Sequence, residues 1–123
     1  MINIVIIDDN PDSIDLITAY LPEEKFSIFA TQNGNKAIEY IENNNVDLLI
    51  TDIIMPGING LEIISKVSSI NPKLKILAIS GGGAIDADQY FSLASGLGAT
   101  KTLSKPFIAD DLLAAIKELI PEA

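Results

Sequence analysis

Five polar residues could carry chemistry in this chain: the adjacent Asp8 and Asp9, then Asp52, Ser80 and Lys105. The sequence has no cysteine and no histidine. Thiolate nucleophiles, thiolate or imidazole zinc sites and histidine-dependent triads are thereby excluded, leaving carboxylate, hydroxyl and lysine. Brought within a few Å of one another, three carboxylates repel, and at least one pKa must rise unless a cation neutralises them. A few hard oxygen ligands with room for water suit Mg²⁺, which commonly bridges protein carboxylates to phosphate. A lysine beside them adds a point charge for an anionic group. Acids, lysine and serine fit phosphoryl chemistry with an aspartate as acceptor, since carboxylate nucleophiles form aspartyl-phosphates. Taken singly, Asp52 reads equally well as a turn residue or helix cap, Ser80 as a strand-end hydroxyl and Lys105 as a surface lysine. The choice depends on whether the chain brings them together.

Hydrophobic periodicity predicts that it does. Short aliphatic runs over residues 3–7, 26–30, 46–51, 73–79 and 100–104 read as strands, the third too short for a buried helix and closed by turn residues. Between and after them lie five amphipathic segments. The first is capped by Asn10 before Pro11, carries Ile14, Ile17 and Leu21, and stops at Pro22. The second follows a break at Asn33-Gly34, with Ala37, Ile38 and Ile41 inward, and ends in Asn43-Asn44-Asn45. The third follows the Met55-Pro56-Gly57 loop, with Asn59 and Glu62 close to a capping box, Leu61, Ile64 and Val67 on its core face, and Asn71-Pro72 as its stop. The fourth covers roughly 85–97, with Gly96 and Gly98 flanking its end, and the fifth roughly 108–120, with Leu112, Ala115, Ile116 and Leu119 inward. Gly81, Gly82 and Gly83 predict a mobile loop after Ser80. Strict alternation of strand and helix indicates an α/β fold, a doubly wound five-stranded parallel sheet with helices on both faces. Parallel strands share one carboxyl edge, where ligands bind in such sheets, so all five polar residues are expected in a single cleft.

The 123 residues fit one domain with no linker, repeat or second unit. A composition 48% hydrophobic but only 6% aromatic suits aliphatic strands between helices rather than an aromatic-lined sugar or nucleobase site. The net charge of −9 argues against direct nucleic-acid binding, which needs a basic face. The N-terminus lacks a basic region, and every apolar run is interrupted well before the ~18 residues of a membrane span, so a cytoplasmic protein without membrane insertion is expected.

Taken together, the Asp8-Asp9 pair, the segment from Asp52 through Met55-Pro56-Gly57 to Gly60, Ser80, and Lys105-Pro106-Phe107 resemble the receiver domain of two-component response regulators across essentially the whole chain. The resemblance implies a flavodoxin-like strand order 2-1-3-4-5, and residues 1–123 acting as a stand-alone receiver without an output domain. It implies Asp52 as phosphoacceptor, with Mg²⁺ bound directly by Asp9 and Asp52, through water by Asp8, and by the main-chain carbonyl of Ile54. Lys105 would contact the phosphoryl oxygens and Ser80 would hydrogen-bond them, and a cis Lys105–Pro106 bond would aim the lysine inward. The implied partners are a histidine kinase or histidine phosphotransfer protein and a downstream target protein, with a homodimer also allowed. The domain would be no enzyme beyond its own phosphorylation and dephosphorylation. Two features depart from the usual pattern. Thr102 stands where the family usually has an aromatic switch residue, and three glycines follow Ser80. The expected switch therefore centres on Ser80 and its loop, with little contribution from Thr102. A Mg²⁺-dependent phosphohydrolase working through an aspartyl-phosphate is the alternative, but such enzymes need a second Asp where Ile54 stands. A flavin carrier would need a hydroxyl-rich loop after the first strand and stacking aromatics.

Overall fold

Runs such as Ile2-Asn3-Ile4-Val5-Ile6-Ile7 and Leu48-Leu49-Ile50-Thr51 have aliphatic side chains on both sides of the pleat, so they are stable only with both faces covered. The computed structural model describes the backbone of residues 1–55, 58–81 and 87–123, and their side chains apart from residues 54, 55, 58, 59 and 87–91. Five strands, β1 (Ile2–Ile7), β2 (Phe26–Thr31), β3 (Leu48–Asp52), β6 (Lys75–Ser80) and β7 (Lys101–Ser104), form one sheet in the order β2-β1-β3-β6-β7. Every neighbouring pair is parallel. This is the flavodoxin-like order 2-1-3-4-5 counted over the sheet strands.

Helices α1 (Pro11–Tyr20), α2 (Gly34–Asn43), α3 (Gly60–Ile70), α4 (Ala87–Leu97) and α5 (Ala109–Leu119) cover the two faces. Alternation along the strands sorts the core into two layers. Val5, Ile7, Leu49, Ile76 and Ala78 pack with Ala37 and Ile41 of α2, Ile63, Ile64 and Val67 of α3 and Ala94 of α4. Ile4, Ile6, Leu48, Ile50, Leu77 and Ile79 pack with Ile17 of α1 and Leu112, Ala115 and Ile116 of α5. The central strand β3 is buried along its whole length.

Local chemistry fixes where the helices begin. The Asn10 side chain accepts from Asp12 N at 2.9 Å, with Pro11 in the first turn, as its sequence position implies. Asn33, expected as a simple break, is itself a cap: its Oδ1 accepts from Asn35 N at 2.9 Å and Lys36 N at 3.1 Å, so α2 starts at Gly34. Leu61, expected on the core face of α3, is only partly buried there, and Ile63 takes the buried place. Gly96 and Gly98 flank the end of α4 at Leu97 as expected, and Gly98 makes the turn, at φ +129 where a β-carbon would collide with the Ser68 side chain. The stretch after Asp52 holds an unexpected short ribbon, β4 (Ile54–Met55) antiparallel to β5 (Ile58–Asn59). Pro56 and Gly57 of the predicted loop, Gly82 and Gly83 of the predicted mobile loop, and the capping side chain of Asn59 lie outside the described residues. No helix among the described residues is long and apolar enough to cross a membrane.

Removing a fully buried β3 side chain should leave a cavity under two helices, whereas removing a cap loses one local interaction. Leu49→Ala is expected to cost about 2–5 kcal/mol and Asn33→Ala about 1 kcal/mol, measured by urea unfolding. Equal losses would contradict this ordering.

Candidate functional site

The two central strands carry the acids. Asp8 follows the last residue of β1, is 2% exposed, and accepts from Asn10 N at 3.0 Å through Oδ1. Asp9 is half-buried beside it. Asp52 is the last residue of β3 and is 7% exposed, one position further into the strand than the hydrophobic run indicates. Because β1 and β3 are parallel neighbours, with Ile7 opposite Thr51, their acids emerge at the same level. Asp8, Asp9 and Asp52 each place a carboxylate oxygen within 4.8 Å of the others.

The Asp52 backbone is held from several sides. Thr51 Oγ1 donates to the Asp52 carbonyl at 3.0 Å, and Ile53 N donates to Ile79 O at 2.8 Å. Gly60 opens α3 directly against this segment, with its N–H donating to Ile53 O at 3.2 Å. A β-carbon at Gly60 would collide with the Asp52 carbonyl and come within 2.7 Å of Ile53 Cα and O, all rigid backbone. No side chain larger than hydrogen fits there unless the Asp52 turn moves.

β6 and β7 supply the other two groups. Ser80 ends β6, is 1% exposed, and its hydroxyl has no hydrogen-bond partner among the described residues. Its carbonyl accepts from Lys105 N at 2.8 Å, which ties the residue after β7 to the end of β6. The Lys105–Pro106 peptide is cis. Lys105 Nζ donates to Asp8 Oδ2 at 3.0 Å, Asp52 Oδ2 at 3.1 Å and Ser13 Oγ at 3.3 Å. Burial by itself would lower the Lys105 pKa, but the hydrogen bond to Asp8, the charge of Asp52, the hydrogen bond to Asp52 and the charge of Asp8 together raise it above the ordinary lysine value. The structure thus brings Asp8, Asp9, Asp52, Ser80 and Lys105 to one edge. Ile54 lies two residues beyond Asp52 in β4. Thr102 is half-buried in the edge strand β7, in register with Ala78. Ser13 and Thr51 are contributors that sequence reasoning missed, and Gly60, quoted there only as the end of the segment that carries the resemblance, was given no role. Ser13 carried only a weak signal, a hydroxyl in the first turn of the helix that follows the acidic pair.

One ammonium beside three carboxylates leaves the cluster negative. Two unit charges about 5 Å apart interact by roughly 3.3 kcal/mol at an effective dielectric of about 20, so the remaining repulsion is substantial. The donor set consists of oxygens alone, and the orphaned Ser80 hydroxyl marks a further polar position within the cleft. Both fit a hard divalent cation carrying an anionic ligand, not a soft metal.

The fold and site define a doubly wound α/β domain with an acidic, cation-competent pocket at its carboxyl edge. The chain belongs to the response regulator receiver domain family, whose pattern matches residues 4–117. It is 34% identical over 120 residues to response regulator GtcR of Aneurinibacillus migulanus, covering 98% of this chain and 48% of that protein. To sporulation initiation phosphotransferase F of Bacillus subtilis it is 27% identical over 118 residues, covering 96% of this chain and 93% of that one. The crystal structure of response regulator protein TrrA from Thermotoga maritima in complex with Mg(2+)-BeF is similar, with a TM-score of 0.83 at 32% identity, over 98% of this chain and 100% of that one. The chain spans about half the length of several curated relatives it matches. It is a signalling module of two-component phosphorelays, with an aspartate triad able to bind metal.

A divalent cation that binds only the folded state should raise the unfolding midpoint. Asp9→Asn is expected to raise the metal-free midpoint by easing repulsion, and to remove most of the cation-dependent rise. Thermal melts with and without EDTA check both, and an undiminished cation response in the variant would count against the acidic triad as the binding site. A raised folded-state pKa also means that Lys105 contributes stability that is full below the unfolded lysine value and is lost as pH rises through the folded value. In EDTA, the stability advantage over Lys105→Met should therefore be retained up to the ordinary lysine value and narrow as the pH rises above it.

Proposed function

We propose that Asp52 accepts a phosphoryl group from a phosphohistidine on a histidine kinase or histidine phosphotransfer protein, and that the altered surface is then read by a downstream target protein. The observation that carries this reading is the convergence of three carboxylates, a lysine bridging two of them, and a buried hydroxyl without a partner among the described residues. An Asp52 carboxylate oxygen forms the bond to phosphorus as the donor's P–N bond breaks, and the electron pair departs on the imidazole nitrogen of the partner. Mg²⁺, held by Asp9, Asp52, the Ile54 carbonyl and, through water, Asp8, would supply charge neutralisation for the phosphoryl oxygens. Lys105 contacts those oxygens as a fixed point charge. Ser80, with an unspent donor, hydrogen-bonds them.

That residues 1–123 work as one receiver unit is supported by the match to phosphotransferase F over 96% of this chain. The acidic balance favours protein partners over nucleic acid, with a homodimer among them, in the cytoplasmic setting of a phosphorelay. Reaction is confined to the domain's own phosphorylation and dephosphorylation. The switch centres on Ser80: a new anion at Asp52 attracts its hydroxyl, and Gly81, where a β-carbon would meet nothing, offers no steric resistance. Thr102 has no ring to move, so its contribution is small.

Incubation with acetyl phosphate should add about 80 Da, one phosphoryl group on a carboxylate nucleophile, in Mg²⁺ but not in EDTA, and not in Asp52→Asn. Intact-mass measurement decides, and equal labelling with EDTA or labelling of the variant would refute the assignment. With a beryllofluoride mimic, hydrogen exchange is expected to change across residues 80–95. A response limited to residues 99–107 would place the switch elsewhere.

A further inference from the structure

Lys105 has three ammonium hydrogens and, among the described residues, three acceptors, drawn from three separate parts of the chain. Two are Asp8 Oδ2 and Asp52 Oδ2, and the third is Ser13 Oγ in the first turn of α1. The carboxylates are the groups that the proposed cation and phosphoryl group also recruit. Ser13 is uncharged, a poor competitor for a cation beside three carboxylates, and stands on a helix whose start is fixed by the Asn10 cap and Pro11. We infer that Ser13 is a positioning residue for Lys105, the acceptor that keeps the ammonium directed into the cleft when its carboxylate partners are engaged elsewhere. This deepens the phosphoacceptor reading and rests on it.

A lysine stem has four rotatable carbons and loses much rotamer freedom when its head is fixed. An acceptor that persists through the reaction lowers that cost in the transition state as well as in the free chain, so its removal should act on the rate of transfer. The side of Lys105 facing Ser13 opens on a cavity of about 440 Å³ lined by Ser13, Leu16, Ile17, Pro106 and Phe107, which leaves room for the extra methyl of threonine.

The test measures acetyl phosphate labelling rates over a range of donor concentrations for the wild type, Ser13→Ala, Ser13→Thr, Lys105→Met and the double variant Ser13→Ala with Lys105→Met, with unfolding midpoints in EDTA alongside. Ser13→Ala is expected to lower the maximal rate roughly five- to tenfold, the size of one ordinary hydrogen bond, and Ser13→Thr to restore it. In the Lys105→Met background the Ser13→Ala substitution should have no further effect on rate or on metal-free stability, since the two then report one interaction. An unchanged rate in Ser13→Ala while the wild type labels normally would overturn the role of Ser13 and leave the phosphoacceptor reading standing. A loss that persists undiminished in the Lys105→Met background would overturn it too, showing a structural effect. Failure of the wild type to label would overturn both.

Discussion

Repulsion among three carboxylates that share less than 5 Å is the constraint on which the rest of this structure depends. Asp8 and Asp52 are nearly fully buried, where water cannot screen them, and the one lysine that bridges them leaves two negative charges uncompensated. Such a cluster lowers the stability of any fold that contains it, and it persists because the surrounding structure determines its position many times over. The sheet order places the reversal of winding between β1 and β3, so the two strands carrying the acids are the neighbours whose connections leave toward opposite faces. The crevice at that reversal is the ordinary ligand position in doubly wound folds. Here it receives the acids from the central strands and the hydroxyl and ammonium from β6 and β7.

Holding a repelling carboxylate in place requires a backbone that cannot relax. At Asp52 this is achieved by packing rather than by charge: the Thr51 hydroxyl on the carbonyl, the ladder bond from Ile53 to Ile79, and the bare Cα of Gly60 against the same turn. The short β4–β5 ribbon returns the chain from Ile53 to Gly60 within a few residues, so the first turn of α3 serves as a wall for the acid. Precision at the carboxylate therefore originates in apolar and main-chain contacts beneath it, with two aliphatic layers supplying the stability that the cluster consumes.

The sheet and its helices were legible because their signals are local. The unbroken aliphatic run Ile4-Val5-Ile6-Ile7 marks a strand covered on both faces, and Ala37 with Ile41, Ile64 with Val67, and Leu112 with Ala115 and Ile116 recur at helical spacing. The convergence of Asp8, Asp52, Ser80 and Lys105 was legible for a topological reason, since parallel strands share one edge. What escaped were features decided by tertiary contact. Asn33 reads as a break because Asn-Gly usually marks a turn, yet its side chain finds two helix N–H groups. The β4–β5 ribbon is too short to carry an alternation pattern. Ser13 is an ordinary residue in sequence and Gly60 only the end of a motif, and their importance lies in what stands opposite them: an ammonium arriving from residue 105, and the backbone of residues 52 and 53.

The charge balance of the pocket also sets the order of dependence between its ligands. In the free chain Lys105 serves as the counter-ion for Asp8 and Asp52, and it is insufficient alone. Phosphorylation of an aspartate replaces one carboxylate charge by about two on the phosphoryl oxygens, so the deficit grows at the moment of transfer. A divalent cation among the same oxygens offsets most of it. The two events are thus linked thermodynamically: whatever factor the cation contributes to the stability of the phosphorylated aspartate, the phosphoryl group must return to the affinity for the cation. On the proposed function, loss of the phosphoryl group would weaken cation binding and return the ammonium of Lys105 to Asp8 and Asp52. The resting pocket is in this sense a self-neutralising state with too little positive charge, poised toward any dianion that arrives with a cation.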